Sequence, residues 1–239
     1  MPLPKIATPT YELELPSSGK TIKYRPFLVK EEKVLVIAME SEDTKQITNA
    51  IKAVLKSCVQ TKGIKIETLP TFDIEYLFLN IRGKSVGEEL EVNIICPDDG
   101  ETSVPVMIAL EDIQVEKMDD HSPQIKLDAN LMMEMKYPSL DEFIKNNFDF
   151  NEENQMDQSF ALIASCIDKI YSDEEVWATA DCTKKEVNEF LESMNSSQFK
   201  LIEKFFETMP KLQHTIEVTN PKTKVKSEVV LEGLASFFA

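Results

Sequence analysis

Imidazole and thiol groups are scarce in this sequence. It has two histidines, His121 and His214, and four well-separated cysteines, Cys58, Cys96, Cys166 and Cys182. Nucleophilic catalysis of the Ser-His or Cys-His kind needs an imidazole beside the attacking group, so the pool of candidates is small. Both histidines read as surface or loop residues. The cysteines form no C-x-x-C pair, which argues against a disulfide scaffold and a zinc-thiolate site and favours a reducing compartment. Glycine is also scarce, 6 residues against 12 prolines, which excludes a collagenous chain. No run of about 18 apolar residues is present, so no membrane-spanning helix is expected. The start, MPLPKIATPT, lacks a basic stretch followed by an apolar one, and the expectation is a chain not secreted by that route.

What is abundant is negative charge. The 239 residues carry 42 acidic and 26 basic side chains, a net charge of −16, so the mean field repels phosphate. The best local basic stripe, Lys222, Lys224 and Lys226, falls at alternate positions around a turn and reads as a solvated hairpin edge. Nucleic acid is therefore set aside as a partner, and the lack of a long apolar run sets membrane aside as well. With 42% hydrophobic and 28% charged residues, the composition is that of an ordinary globular protein.

Motifs that could carry chemistry are incomplete. Asp98-Asp99-Gly100-Glu101 lacks the spaced ligands of a calcium loop and reads as a hairpin turn. Cys96-Pro97 is like one knuckle of a zinc ribbon without the other three thiolates. Arg82-Gly83-Lys84-Ser85-Val86-Gly87 lacks the first glycine of a phosphate-binding loop and follows a helix, where such a loop must follow a strand. The expectation is no catalytic residue, no cofactor and no metal. The competing reading is an enzyme with an unrecognised carboxylate site, which needs two acidic groups at a defined separation.

Periodicity predicts an α+β fold with a helical core and several short antiparallel hairpins. Tyr11, Leu13 and Leu15 alternate with glutamates before the Pro16–Gly19 turn, and Thr21 to Tyr24 returns as the second arm. Val34, Leu35, Ala38 and Met39, then Ala50, Ile51, Val54, Leu55 and Cys58, recur at helical spacing. A third helix from Thr71 is expected to end near Gly83. Hairpins follow around Pro97–Gly100 and Pro221, and Gln124 to Lys126 and Leu131 to Tyr137 read as strands. Asp112 to Pro123 reads as a loop, and Ser139 to Glu142 as the start of a short helix. Phe160, Ile163, Ala164, Ile167 and Ile170 form a helical stripe, Thr183 to Glu186 a capping box, and Ser196 the cap of a last long helix. A boundary in the polar run 146–158 gives two parts, 1–150 and 151–239, or one body if they pack together.

Cys96-Pro97 and Asn220-Pro221 take the same turn position at an offset of 220 − 96 = 124. At that offset Leu77 aligns with Leu201, Phe78 with Ile202, Ile81 with Phe205, and Val106 with Val230. Either the chain carries two helix-plus-hairpin units, or two amphipathic helices each happen to precede a hairpin.

The run Ile22-Lys23-Tyr24-Arg25-Pro26-Phe27-Leu28-Val29-Lys30-Glu31-Glu32-Lys33 resembles the opening signature of a baseplate hub protein family of large contractile-tailed bacteriophages. Phe72 to Leu79, Arg82 to Glu88 and Gly233 to Phe238 are similar to that family as well, so the likeness covers nearly the whole chain. Members resemble one another in a fuller cysteine knuckle, from which this chain departs at Asn220. The resemblance implies a non-enzymatic protein that builds the tail baseplate hub in the bacterial cytoplasm, with other hub or tape-measure proteins as partners. It leaves open a virion component or a transient assembly chaperone, and as a third and less favoured alternative a hydrolase of the cell wall, as other hub proteins can be. The candidate partner-binding residues are Tyr24, Pro26 and Phe27 at a strand-to-helix corner, and Leu234, Phe237 and Phe238 in the apolar tail. For each set a purely structural use, a corner and an internal groove respectively, is the competing reading.

Overall fold

The structure, a computed structural model, describes residues 6–41, 43–140 and 155–237. The helix start expected at Ser139 to Glu142 and the boundary expected at 146–158 lie largely outside those residues. Helices and small antiparallel sheets are mixed, an α+β arrangement. Backbone contacts divide the chain into two units: Met1–Ile66, Phe72–Glu116 and Lys211–Ala239 form the first, and Glu67–Thr71 with Lys117–Pro210 the second.

In the first unit, β1 (Tyr11–Glu14) pairs antiparallel with β2 (Thr21–Tyr24). Period-two alternation turns Ile22 and Tyr24 inward, and both are almost fully buried. Helices α1 (Val29–Glu40) and α2 (Thr44–Cys58) follow. The Asp43 carboxylate caps α2 by accepting from the N–H groups of Lys45 and Gln46, and Ala50, Val54, Leu55 and Cys58 form its buried face. The face expected of α1 is different: Val34 and Met39 are about half exposed, and only Glu31 and Ala38 are buried.

Helix α3 (Thr71–Val86) is buried on most sides, through Phe72, Ile74, Leu77, Phe78, Leu79 and Ile81. It does not end at Gly83. A Cβ there would lie 2.6 Å from Leu110 Cδ1, so this glycine allows close packing, and the helix runs on to Val86 before Gly87 takes φ +150°. Strands β3 (Glu89–Ile95) and β4 (Ser103–Ala109) form a hairpin. The segment expected to be a loop contributes β5 (Gln114–Glu116), which has an ordered partner: it is the edge of a sheet completed by β10 (Lys211–Thr219) and β11 (Lys226–Glu232), in the order β11-β10-β5. Leu79, Leu90, Val92, Ile94, Ile216, Leu231 and Phe237 lie in the core between these elements. Each such side chain contributes about 1.5–3 kcal/mol by leaving water, against the entropy of ordering the chain.

The second unit is a four-stranded antiparallel sheet, β6 (Gln124–Lys126), β7 (Met132–Met135), β8 (Ile167–Tyr171) and β9 (Val176–Ala178), in that order. Among the described residues its helices are α4 (Gln155–Cys166), α5 (Lys184–Glu192) and α6 (Ser196–Thr208). The helical stripe expected through Ile170 stops at Cys166, and the chain passes directly into β8. Glu134 pairs with Lys169 but Met135 pairs with Ile167, so Asp168 is an extra residue on β8. That bulge turns Ile167 and Ile170, three apart, to the same buried side, which imitates helical spacing in the sequence. Thr183 and Glu186 make the expected capping box at α5. The cap of α6 is Asn195, whose side chain accepts from the N–H groups of Ser197 and Gln198, one residue before Ser196.

The helix-then-hairpin order recurs. Shifting α3, β3 and β4 by 124 residues lands them on α6, β10 and β11 to within a few residues at each end. After α3 and after α6 the chain therefore builds the same succession of elements, although α6 belongs to the second unit and α3 almost wholly to the first. A further short helix, α7 (Gly233–Ser236), follows β11.

Candidate interaction sites

The fingerprint corner is built around one buried carboxylate. After β2, Arg25 N–H donates to Cys58 O at 3.0 Å and Gln60 N–H donates to Lys23 O at 2.8 Å, fastening the strand to the end of α2. Pro26 cannot donate, and Phe27 N–H turns instead to Ser85 Oγ at 2.9 Å. Glu31 then accepts from Arg25 Nη2 at 3.0 Å, Ser57 Oγ at 2.8 Å and Leu28 N–H at 2.7 Å. Burial alone would raise its pKa, but those hydrogen bonds and the guanidinium charge prevail and hold it at about 2. The Tyr24 phenol is pushed up to about 12, first by burial and then by the nearby Tyr11, Tyr76 and Glu88.

Tyr24 is 1% exposed, Pro26 is buried and Phe27 is half-buried. Tyr24 and Pro26 are thus covered by the chain itself at the strand-to-helix corner. The residues that reach solvent come next in the sequence. Leu28, Val29, Val34, Val36, Ile37 and Met39 all stand out along α1, Val29 being 80% exposed. Periodicity missed this because the helix is apolar on several sides, so its wet face carries the same residue types as its dry one.

The two turns flagged by the 124-residue offset meet in space. Asn220 is 1% exposed, and its Nδ2 donates to Asp98 Oδ1 at 3.0 Å and to Asp99 Oδ2 at 2.9 Å. Its Oδ1 accepts from Lys222 N–H at 2.8 Å, and the Thr223 hydroxyl donates to Asp98. Asp99 also accepts from the N–H groups of Glu101 and Thr102. Asp98 is held below the ordinary carboxylate range by Thr223 first and then Asn220; Asp99 is held lower by Thr102 first, with Asn220 adding. An amide joins the two turns at the point where a zinc ribbon would place thiolates. Cys96 supplies a single buried thiol there, and the described residues hold no cluster of three or more His, Cys, Asp or Glu suited to a metal.

His121 is not a surface residue. Its ring is buried, with Nδ1 3.0 Å from Thr208 Oγ1 and Nε2 3.0 Å from Tyr137 Oη, and it stacks on Tyr137. Thr208 donates its own hydroxyl to Lys204 O, so it accepts from His121, which assigns the proton to Nδ1 and makes Nε2 the acceptor from Tyr137. That is a structural use of imidazole. His214 is half-buried on β10, opposite Leu231.

Gly83-Lys84-Ser85-Val86-Gly87 fits the G-x-S-x-G pattern of a nucleophile elbow. It lies within the last turns of α3 and at its end, not on a strand-to-helix turn. Ser85 Oγ donates to Ile81 O at 2.5 Å and accepts from Phe27 N–H, and among the described residues no imidazole hydrogen-bonds to it. In the tail, Phe237 is 1% exposed in the first unit's core, filling an internal groove. Phe238 and the side chain of Leu234 lie outside what is described.

A family model described as T4 bacteriophage base plate protein matches residues 8–239. No curated protein and no solved structure matches the chain.

Proposed function

Because the chain belongs to the T4 bacteriophage base plate protein family, we propose that it serves, without catalysis, in forming the hub of the tail base plate by binding other hub or tape-measure proteins. The observation that carries this reading is the extent of the match, which covers both units and not one shared motif. The exposed apolar residues of α1 support it, since six large apolar side chains on one twelve-residue helix and its cap are more than an isolated surface needs. The reading places the chain in the host cytoplasm during assembly.

The net charge of −16 favours one form of this role, a transient assembly chaperone that keeps a basic or aggregation-prone hub protein soluble and then departs. Quantitative mass spectrometry of purified virions separates the two forms. A fixed copy number per tail identifies a hub component; expression during infection with absence from virions identifies the chaperone. The contact itself is tested by Val29→Asp with Val36→Asp. Both positions are exposed, so the fold should persist while co-purification with hub proteins falls about tenfold or more. Unchanged recovery of hub proteins by the folded variant removes α1 from the contact.

A further inference from the structure

The second unit contains an open apolar groove of about 410 Å³ whose lining includes Leu131, Ile170, Trp177, Cys182, Val187 and Phe190. Its floor is the unit's own core: Ile170 and Val187 are buried there, and Leu131 and Phe190 pack against them while staying half-buried. Trp177, the chain's only tryptophan, stands on β9 opposite Ile170 and is 42% exposed, and its neighbour Val176 is 66% exposed. The fold does not require an indole at that position, since an edge strand is ordinarily protected by charge or proline. Tryptophan in a partly desolvated recess is, with tyrosine and arginine, a residue type enriched at the anchors of protein contacts.

The chemistry of the rim says what would be welcome. Glu186 lies on the groove itself, where it also accepts from Thr183 in the capping box of α5, and Asp173, Glu174 and Glu175 are exposed in the turn that leads into Trp177 on β9. From Asp168 to Glu189 there are seven acidic residues and three lysines. Two of those lysines are engaged, Lys169 with Glu134 at 3.0 Å and Lys185 with Glu189 at 3.5 Å. A second copy of this chain, itself at −16, would bring like charge to that rim. A small polar ligand would find an open recess with little to orient it.

We propose that the groove beside Trp177 receives a segment of a partner protein that inserts one large apolar side chain and carries lysine or arginine on its flanks. The proposal rests on the protein-binding reading above and deepens it, naming the chemistry of a partner and a surface separate from α1.

The full chain is titrated with a synthetic amphipathic peptide of leucine and lysine, and with the same peptide carrying glutamate for lysine. Trp177 emission reports the groove alone, because no other tryptophan exists. The alkylation rate of Cys182 gives a second local signal, since Cys58, Cys96 and Cys166 are buried. The expected result is a blue shift and slower alkylation with the lysine peptide only. Trp177→Ala, and separately Glu174→Lys with Glu175→Lys on the exposed turn, should weaken binding of the labelled peptide about tenfold or more.

Equal binding of the glutamate peptide overturns the proposal. So does lysine-peptide binding that leaves both signals unmoved, or a blue shift that appears on concentrating the chain without peptide. If the groove fails these tests while hub proteins still co-purify with the chain, the functional reading stands and only this site falls.

Discussion

At the tip of the β3–β4 hairpin, Gly100 takes φ +67° and donates its N–H to Cys96 O at 2.9 Å. At the tip of the β10–β11 hairpin, 224 − 100 = 124 residues later, Lys224 takes φ +66° and donates to Asn220 O at the same distance. The two backbones agree and the side chains do not. The first turn uses a glycine, which occupies the left-handed region without steric cost; the second uses a lysine, the only described non-glycine residue at positive φ. The first turn opens with a buried thiol, the second with a buried amide that reaches across to the first turn's aspartates. Turn geometry is therefore a property of the hairpin, while the link between the hairpins depends on which atom stands at position 220. Two thiols would need a metal or an oxidant to be joined; an amide facing two carboxylates needs only its own N–H groups.

Asn220→Asp should break the comparison most severely. It removes the Nδ2 donor and sets a third carboxylate against Asp98 and Asp99 at a nearly fully buried position. An uncompensated buried charge of this kind costs about 3–5 kcal/mol. Urea unfolding of the first unit should show it as a large fall in midpoint. Asn220→Ala, which deletes the donor without adding charge, should cost less, about 1–3 kcal/mol. A variant Asp as stable as the Ala would mean that the amide is not what holds the two turns together.

The legibility of this molecule in its sequence follows the same division. The paired turns were visible as Cys96-Pro97 and Asn220-Pro221 at a fixed offset, because a hairpin tip constrains residue type locally. Their meeting was not visible, since nothing local to Asn220 says that its amide faces Asp98. Elements whose buried side follows a single period, such as α2 and β3, were legible. Those failing that condition were not: α1 has apolar residues on its wet side, and the bulge at Asp168 gives a strand the spacing of a helix. The corner at Tyr24 was found as a fingerprint. Its cause, the carboxylate of Glu31 gathering three donors, comes from α1, α2 and the strand exit together, and no one segment encodes it.

A smaller effect sharpens the backbone half of the comparison. A Cβ at Gly100 would meet nothing within 4 Å, so Gly100→Ala isolates the cost of the left-handed conformation, about 1 kcal/mol. Lys224→Gly should act in the opposite direction and stabilise by a similar amount, reduced by the greater freedom that glycine gives the unfolded chain. Thermal melts of the two single variants and of the double variant test this as a pair. Two destabilising results would show that the lysine side chain contributes more at that turn than its backbone costs.

The smallest effect is in acid. Asp98 is held below its ordinary pKa by Thr223 and Asn220, and Asp99 by Thr102 and Asn220. A carboxylate whose pKa is depressed by folding binds protons more weakly in the folded state than in the unfolded one. Its contribution is complete above the unfolded value near 3.9 and is lost as pH falls through and below it. The loss is modest because both groups are open to solvent, where screening weakens them. Asp99→Asn should therefore flatten the acid limb of stability below about pH 4 while leaving the slope near pH 6 unchanged. That upper region is governed separately by His121, whose pKa burial lowers first and Lys117 lowers further, so its neutral form loses favour as pH falls below about 6.5. His121→Asn should remove that upper step and leave the acid limb in place. If Asp99→Asn instead shifts the whole profile equally at every pH, the carboxylate acts only as a hydrogen-bond acceptor, and the charge of the first turn has no part in holding the second.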